Sequence, residues 1–321
     1  MTYEFTGHIP VLLDEVINQL EENFEKDTAF TLFDFTFGGG GHSMSILKKF
    51  PNSRVIAFDQ DPDALSNGRK KIKEENLDDR IKLLSGNFTN FDEILSKNSI
   101  DCRPNAVLMD LGVSSHHFDE GQRGFSFRFD GPLDMRMNYL KGPSAADVVN
   151  NYDAKSLVEI FEKYGEIYNS EKLVTKIIEQ RSRKSVDTTF ELRDLVYSIW
   201  KKKPGEIDPC TQVFQALRIE VNQELQAVET VIDKLKHILP INAVIMIITF
   251  HSLEDRIVKK KFKEMSDGKV PFSILTKKPI SPSEKEISNN KRSRSAKLRV
   301  IKRVSEKKLK NKYHEFSRKE K

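Results

Sequence analysis

Apolar positions change period several times along this chain, and each change marks an element. Residues 8–20 (HIPVLLDEVINQL) put Leu13, Val16, Ile17 and Leu20 on one helical face, with Pro10 at the first helical position. Residues 30–37 (FTLFDFTF) are β-branched and aromatic, as a strand requires, and run directly into GGGGHS (38–43) and a short apolar helix over 44–50. A second strand (54–59, RVIAFD), a third (81–88, IKLLSGNF) and a fourth (105–111) follow at α/β spacing. Between 137 and 208 the period turns helical: Leu157, Ile160 and Phe161 form one stripe, and Leu173, Val174, Ile177 and Ile178 another. TTFE (188–191) is a capping box opening a helix to about Trp200. From Phe214 the positions Leu217, Val221, Leu225, Val228, Ile232, Leu235 and Leu239 step by three or four, which predicts one long amphipathic helix. Residues 242–250 read as a fifth strand buried on both faces, and 273–276 with 296–304 as a final extended pair. Segments 281–293 and 305 onward have the composition of mobile chain. Strands alternating with helices predict an α/β fold, a doubly wound parallel sheet with a helical insertion and ligands at the strands' carboxyl ends.

Composition narrows the function classes. At 321 residues the chain can bury a substantial core. Cys102 and Cys210 make no disulfide framework, and seven scattered His make no zinc spacing; we expect no metal and a reducing, cytoplasmic setting. The longest apolar run, 243–248, is far short of a membrane span, and MTYEFTGHIP resembles no targeting peptide. The net charge of +5 hides an asymmetry: from Arg256 onward there are 23 Lys+Arg against 7 Asp+Glu, and before it 30 against 41. That basic last fifth suits a polyanion, because neutralised phosphates release counterions.

Candidate chemistry gathers at two places. One is residues 110–137, DLGVSSHHFDEGQRGFSFRFDGPLDMRM, where an apolar strand ends on Asp110 and gives way to glycine, charge and three Phe. The other is the glycine turn, whose missing side chains let backbone N–H groups approach a ligand. No P-loop pattern is present, and Ser43 stands where a dinucleotide fold wants its third glycine. Asp59 ends the second strand 21 residues after Gly38, where an acid accepts ribose hydroxyls, and Asp61-Pro62 caps the next helix. Of the two ligands that suit such a cradle, NAD and S-adenosylmethionine, the second is favoured. It has no pyrophosphate to demand the strict glycine pattern, and Asp34 at the start of the loop is free to meet an amino group. His251, taken alone, is more often a structural hydrogen-bonder than a catalyst.

Eight ordered blocks carry a family likeness: HIPVLLDEV (8–16), DFTFGGGGHS (34–43), DQDPDAL (59–65), DLGVSS (110–115), RGFSFRFDGPLDMRM (123–137), FQALRIEVNQEL (214–225), FHSLEDR (250–256) and SRSAKLRVIKR (293–303). Through them the chain resembles the MraW/RsmH family of S-adenosylmethionine-dependent small-subunit rRNA (cytosine-N4)-methyltransferases over nearly its whole length. The resemblance implies a class I (Rossmann-like) methyltransferase sheet split by a helical insertion. It also implies methylation of N4 of a cytidine in the decoding region of 16S rRNA, with the rRNA or the 30S subunit as partner and a homodimer among the assemblies to consider. Boundaries expected on that basis are 1–117 and 213–304 for the methyltransferase domain, 118–212 for the substrate-recognition insertion and 305–321 for a basic tail. Cofactor contacts carry over to Gly40, Gly41, His42, Asp59, Phe88 and Asp110, and to His117, where the family usually has Gln. Two other departures are Phe35, where Gly is common, and DPCTQVFQ (208–215), with Asp208 for His and Gln212 for Arg, which weakens a phosphate grip there. Asp110, Ser114 and His251 are the candidate catalytic groups. Phe125 and Phe127 are candidates for holding a cytosine face, although core packing suits them equally, with Ser115, Arg123 and Arg136 also on the RNA side. Two competing readings are a non-catalytic rRNA-binding assembly factor on the same scaffold and a nicotinamide oxidoreductase, the latter disfavoured by Ser43.

Overall fold

The computed structural model of the chain describes residues 10–203 and 205–306. In chain order the elements are α1 (Leu13–Glu21), β1 (Thr31–Asp34), α2 (Gly41–Lys49), β2 (Arg54–Asp59), α3 (Pro62–Glu74), β3 (Ile81–Ser85), α4 (Phe91–Lys97) and β4 (Ala106–Asp110). There follow α5 (Ser115–Asp119), α6 (Ala145–Asn151), α7 (Ala154–Gly165), α8 (Glu171–Arg181), α9 (Thr189–Tyr197), α10 (Pro209–Asn222) and α11 (Glu224–Ile238). The chain closes with β5 (Val244–Thr249), α12 (Ser252–Asp267), β6 (Phe272–Ile274), α13 (Glu284–Asn289) and β7 (Lys297–Arg303). It divides into two compact units, Val113–Leu225 and the rest. The helical unit thus begins before and ends after the 118–212 expected from the sequence.

The first unit is a seven-stranded sheet in the order β3-β2-β1-β4-β5-β7-β6. Its first five strands in space are parallel, and β7 runs antiparallel to both β5 and β6. The order reverses between β1 and β4, which places the topological switch point beside Asp34 and Asp110. β5, VIMIIT, is buried at every position, as its uniform composition predicts. Each such aliphatic side chain contributes about 1.5–3 kcal/mol over exposure. One face of the sheet packs Leu20, Leu32, Ile46, Phe50 and Val300, and the other packs Phe33, Phe58, Phe91, Val231, Leu235 and Phe262. The second unit has its own core, including Phe125, Leu133, Phe161, Leu173, Leu192 and Phe214.

Several boundaries differ from the pattern-based reading. The single helix predicted from Phe214 is two, because Gln223 takes a left-handed backbone (φ 50) and ends α10. The apolar repeat continues through the break because the two helices feed different cores, α10 the helical one and α11 the sheet. Periodicity cannot register one left-handed residue. The first helix starts at Leu13 rather than Pro10, since Leu12 is also left-handed (φ 54). Residues 281–293 are not mobile chain: they form α13 and most of a 3-10 turn, Lys291–Ser295, held by an Ile280–Leu298 bridge and by Glu286 accepting the Leu12 N–H. The tail expected beyond 305 lies outside the described residues after Glu306. The Thr188 capping box forms as expected, with reciprocal bonds to Glu191.

Candidate active site

Three strands deliver acids to one end of the sheet: Asp34 from β1, Asp59 from β2 and Asp110 from β4. Each has a different set of partners. Asp59 Oδ2 accepts the Gly38 N–H at 2.7 Å and Oδ1 the Asp61 N–H at 2.9 Å, so one carboxylate fixes both the glycine turn and the start of α3. Asp34, 1% exposed, accepts the Ser43 hydroxyl at 2.6 Å and the Thr36 N–H at 3.1 Å. Asp34, expected from the sequence to meet an amino group, accepts the hydroxyl that stands in place of the third glycine. Burial pushes the carboxyls of both Asp34 and Asp59 up to about 6, against hydrogen bonds that favour the charged form.

Asp110 is the least compensated of the three. Its N–H donates to Thr36 Oγ1 at 2.6 Å, which fixes the backbone. Its Oδ1 is buried without a hydrogen-bond partner. Burial, and then the nearby carboxylates of Asp34 and Glu254, hold its carboxyl well above the ordinary range. His42 Nδ1 lies 3.7 Å from the other oxygen. Burial lowers the His42 ring to about 4, so it is neutral; its Nε2 is 3.0 Å from the Val11 carbonyl, which can only accept. The proton therefore sits on Nε2, and Nδ1 faces Asp110 with a bare lone pair.

The glycine turn brings the loop close to this cluster. Gly38 and Gly40 are left-handed (φ 51 and 74), and Gly40 caps α2. A Cβ on Gly40 would approach Phe37 to 2.6 Å, and one on Gly41 would overlap the Pro10 ring. The first N–H groups of α2, at Gly41 and His42, have no carbonyl of their own helix to bond and suit a polar ligand. Phe88 opens a short turn after β3, half-buried against Phe35 (6.0 Å between centroids). Phe35, where the family commonly has Gly, is 1% exposed and fills the sheet core among Phe33, Phe58 and Phe91. His251 caps α12: its Nδ1 accepts the Glu254 N–H while Glu254 bonds back to the His251 N–H. This is the structural-hydrogen-bonder role weighed for it. The sheet unit therefore gathers Gly40, Gly41, His42, Asp59, Phe88 and Asp110, with His251 at the end of the strand next to Asp110.

The helical unit gathers the remaining candidates differently. His117 is 5% exposed; its Nδ1 lies 3.0 Å from Ser114 Oγ and its ring 4.7 Å from Phe125. Phe125 belongs to the core, and Phe127 is half-buried, edge-on to Phe214. Arg123 is buried, donating to the carbonyls of Arg136 and Met137 with its guanidinium over Tyr139. Arg136 lies against both oxygens of Asp134 and donates to the Gly142 carbonyl. Ser115 begins α5, and its side chain lies outside the described ones. The departures at 208–215 have structural roles: Asp208 caps α10 and accepts the Tyr197 hydroxyl, and Gln212 donates to the Gly165 carbonyl. Ser43 is marked in the sequence only as a departure from a dinucleotide fold, and pattern reading missed Thr36 and Glu254. Only their presence inside the family-like blocks marked them.

A parallel sheet with acids and a glycine turn at its switch point, reversed β7 at one side and a helical insertion between β4 and β5, is a class I methyltransferase fold. Residues 5–304 match the MraW methylase family, and the chain belongs to that family. Its relatives include proteins named "Ribosomal RNA small subunit methyltransferase H". The one from Leptospira interrogans is 43% identical over 314 residues, covering 96% of this chain and 93% of the relative. Those from Clostridium botulinum (43% over 313 residues, 92% and 99% covered) and Bacteroides fragilis (42% over 311 residues, 92% and 97%) are similar throughout.

Proposed function

We propose that the protein transfers a methyl group from S-adenosyl-L-methionine to N4 of a cytidine in the decoding region of small-subunit rRNA, in the cytoplasm. The reading is carried by Asp110: a half-buried acid at the switch point whose buried oxygen lacks a donor, beside a glycine turn where a Cβ on Gly40 or Gly41 would meet Phe37 or Pro10. Family membership and the names of the relatives support the methyl transfer and the rRNA substrate. The residues suit the donor. Asp59 retains lone pairs for ribose hydroxyls, the α2 N-terminus offers N–H groups, and Phe88 offers a half-buried apolar ring. When bound, the sulfonium supplies an already activated methyl group, so this chain needs to orient the amine and manage its protons.

Asp110 performs the second task. In the protein alone burial holds its carboxyl well above the ordinary range, with neutral His42 on one side. Were the donor's positive charge held near it, Asp110 would favour the carboxylate, its proton passing to solvent. It can then accept one N4–H, localising the amine lone pair for attack from the other face, and take the proton afterwards. Backbone carbonyls of residues 111–114 are the alternative acceptors. Ser114 and His117 hold the segment that follows. On the RNA side, Phe127 and Arg136 keep exposed surface for a base and a phosphate, whereas Phe125 and Arg123 act from beneath as packing. No helix among the described residues is long and apolar enough to cross a membrane.

The deciding experiment incubates the full chain with labelled S-adenosylmethionine and either free 16S rRNA or 30S subunits from cells lacking the activity, then maps the labelled nucleoside. N4-methylcytidine in the decoding region is expected. Calorimetric titration with S-adenosylmethionine tests the scaffold alternative: an assembly factor without activity should release no binding heat, and that result would remove the enzymatic reading. Sedimentation of the same preparation tests the homodimer.

A further inference from the structure

We propose that Glu286, on α13, is a positioning residue for the donor-binding glycine loop, acting through the backbone of residues 10–12. It lies 274 residues from Leu12 in sequence, and its Oε1 accepts the Leu12 N–H at 2.8 Å. Leu12 is fully buried and left-handed (φ 54), a conformation that L side chains rarely adopt. Without Glu286 a backbone donor would be left inside an apolar shell, so the bond holds this turn in place. The turn sets the two residues before it. The Val11 carbonyl meets His42 Nε2 at 3.0 Å, and the Pro10 ring lies where a Cβ of Gly41 would be. An unbroken series of contacts thus runs from α13 to His42 and Gly41.

A second observation shows that Glu286 is diverted to this task. Ser283 caps α13 by accepting the Glu286 N–H at 3.2 Å, and a glutamate at that position ordinarily returns a bond to the cap's own N–H. Here its carboxylate reaches to Leu12 instead. It does so although burial, and then Glu15 and Asp14 of α1, disfavour its charge and raise its carboxyl above the ordinary range. No need of α13 itself accounts for that placement.

The inference rests on the reading that the glycine loop holds S-adenosylmethionine, and the test separates the two. Amide hydrogen exchange over residues 38–47, measured on the full chain without donor, and calorimetric titration with S-adenosylmethionine are compared for the parent, Glu286→Ala and Glu286→Gln. Glu286→Ala should speed exchange in the loop and weaken donor binding about 10-fold, with kcat at saturating donor and KM for RNA within about 2-fold. Glu286→Gln keeps an acceptor oxygen and should restore both readouts. Parent-like exchange and affinity in Glu286→Ala would overturn the proposal, as would a Glu286→Gln variant no better than Ala. If Glu286→Ala does not fold, Pro10→Ala, which leaves α13 intact, should produce the same faster exchange; unchanged exchange counts against the brace. Failure of the parent to bind donor would strike the donor reading, while the exchange comparison still judges the brace.

Discussion

In the helical unit Arg136 lies against both oxygens of Asp134, and Arg123 spends its guanidinium on two carbonyls and an aromatic ring. In the sheet unit Asp110 keeps a buried oxygen with no donor, and the carboxyls at the ends of three strands are pushed upward by burial. Of these residues, the two arginines have carboxylate or carbonyl acceptors, whereas Asp110 Oδ1 is left under-compensated. Satisfied polar groups order a fold, whereas an unsatisfied acid in low dielectric stores a preference for an incoming donor or cation. The difference separates scaffold from chemistry where exposure alone does not.

Substituting Asp110 attacks the comparison most directly. Asp110→Ala should lower single-turnover methyl transfer about 10²–10⁴-fold. Because burial disfavours its charge and its Oδ1 has no donor to lose, thermal stability should hold or rise; near-parental turnover would remove Asp110 from the chemistry. Phe125→Ala in the helical core should cost about 3–5 kcal/mol in denaturant unfolding. A base-stacking role would instead show as weaker RNA binding at unchanged stability. Asp34 tests the pH side. Its carboxyl rises from 3.8 to about 6 on folding, so the folded state binds its proton more tightly. That contribution is complete below the unfolded value and is lost as pH rises through about 6. His42, lowered from 6.5 to about 4, works oppositely: its contribution is present above 6.5 and lost as pH falls through 4. His42 is common to Asp34→Asn and the parent and cancels in their difference, while loss of the Asp34 charge also relieves Asp59 and Asp110 in the same direction. The gap should grow in favour of the variant by up to about 3 kcal/mol between pH 4 and 7, and a pH-independent gap would be the contrary result. The smallest effect should come from Arg136→Ala, about 1–2 kcal/mol of stability from a partly exposed pair. If Arg136 also meets a phosphate, the slope of log affinity against log salt falls by about 1; an unchanged slope leaves it a purely internal residue.

Much of the fold could be read along the chain because it follows from local period. β5 is uniformly apolar and uniformly buried, and Thr188 with Glu191 makes the capping box its spacing requires. Asp59 was legible from its distance to the glycine turn, since strand, turn and helix lengths in such a unit fix that interval. Gln223 and Leu12 were not, because nothing about Gln or Leu announces a left-handed backbone that surrounding packing imposes. Residues 281–293 looked mobile because a polar, charged composition does not reveal that Glu286 has a buried partner far away in sequence.

Taken by itself, the sequence determined the alternation of strands and helices, the acids at their ends, the glycine turn and the family, all of which depend on order and spacing. Tertiary structure decided which of those acids is satisfied. Ser43 reaches Asp34 and two backbone N–H groups reach Asp59, while Asp110 Oδ1 meets no donor. The physical reason is that a carboxylate's charge state depends on how much water and how many donors surround it, and those are set by chain segments that only folding brings together.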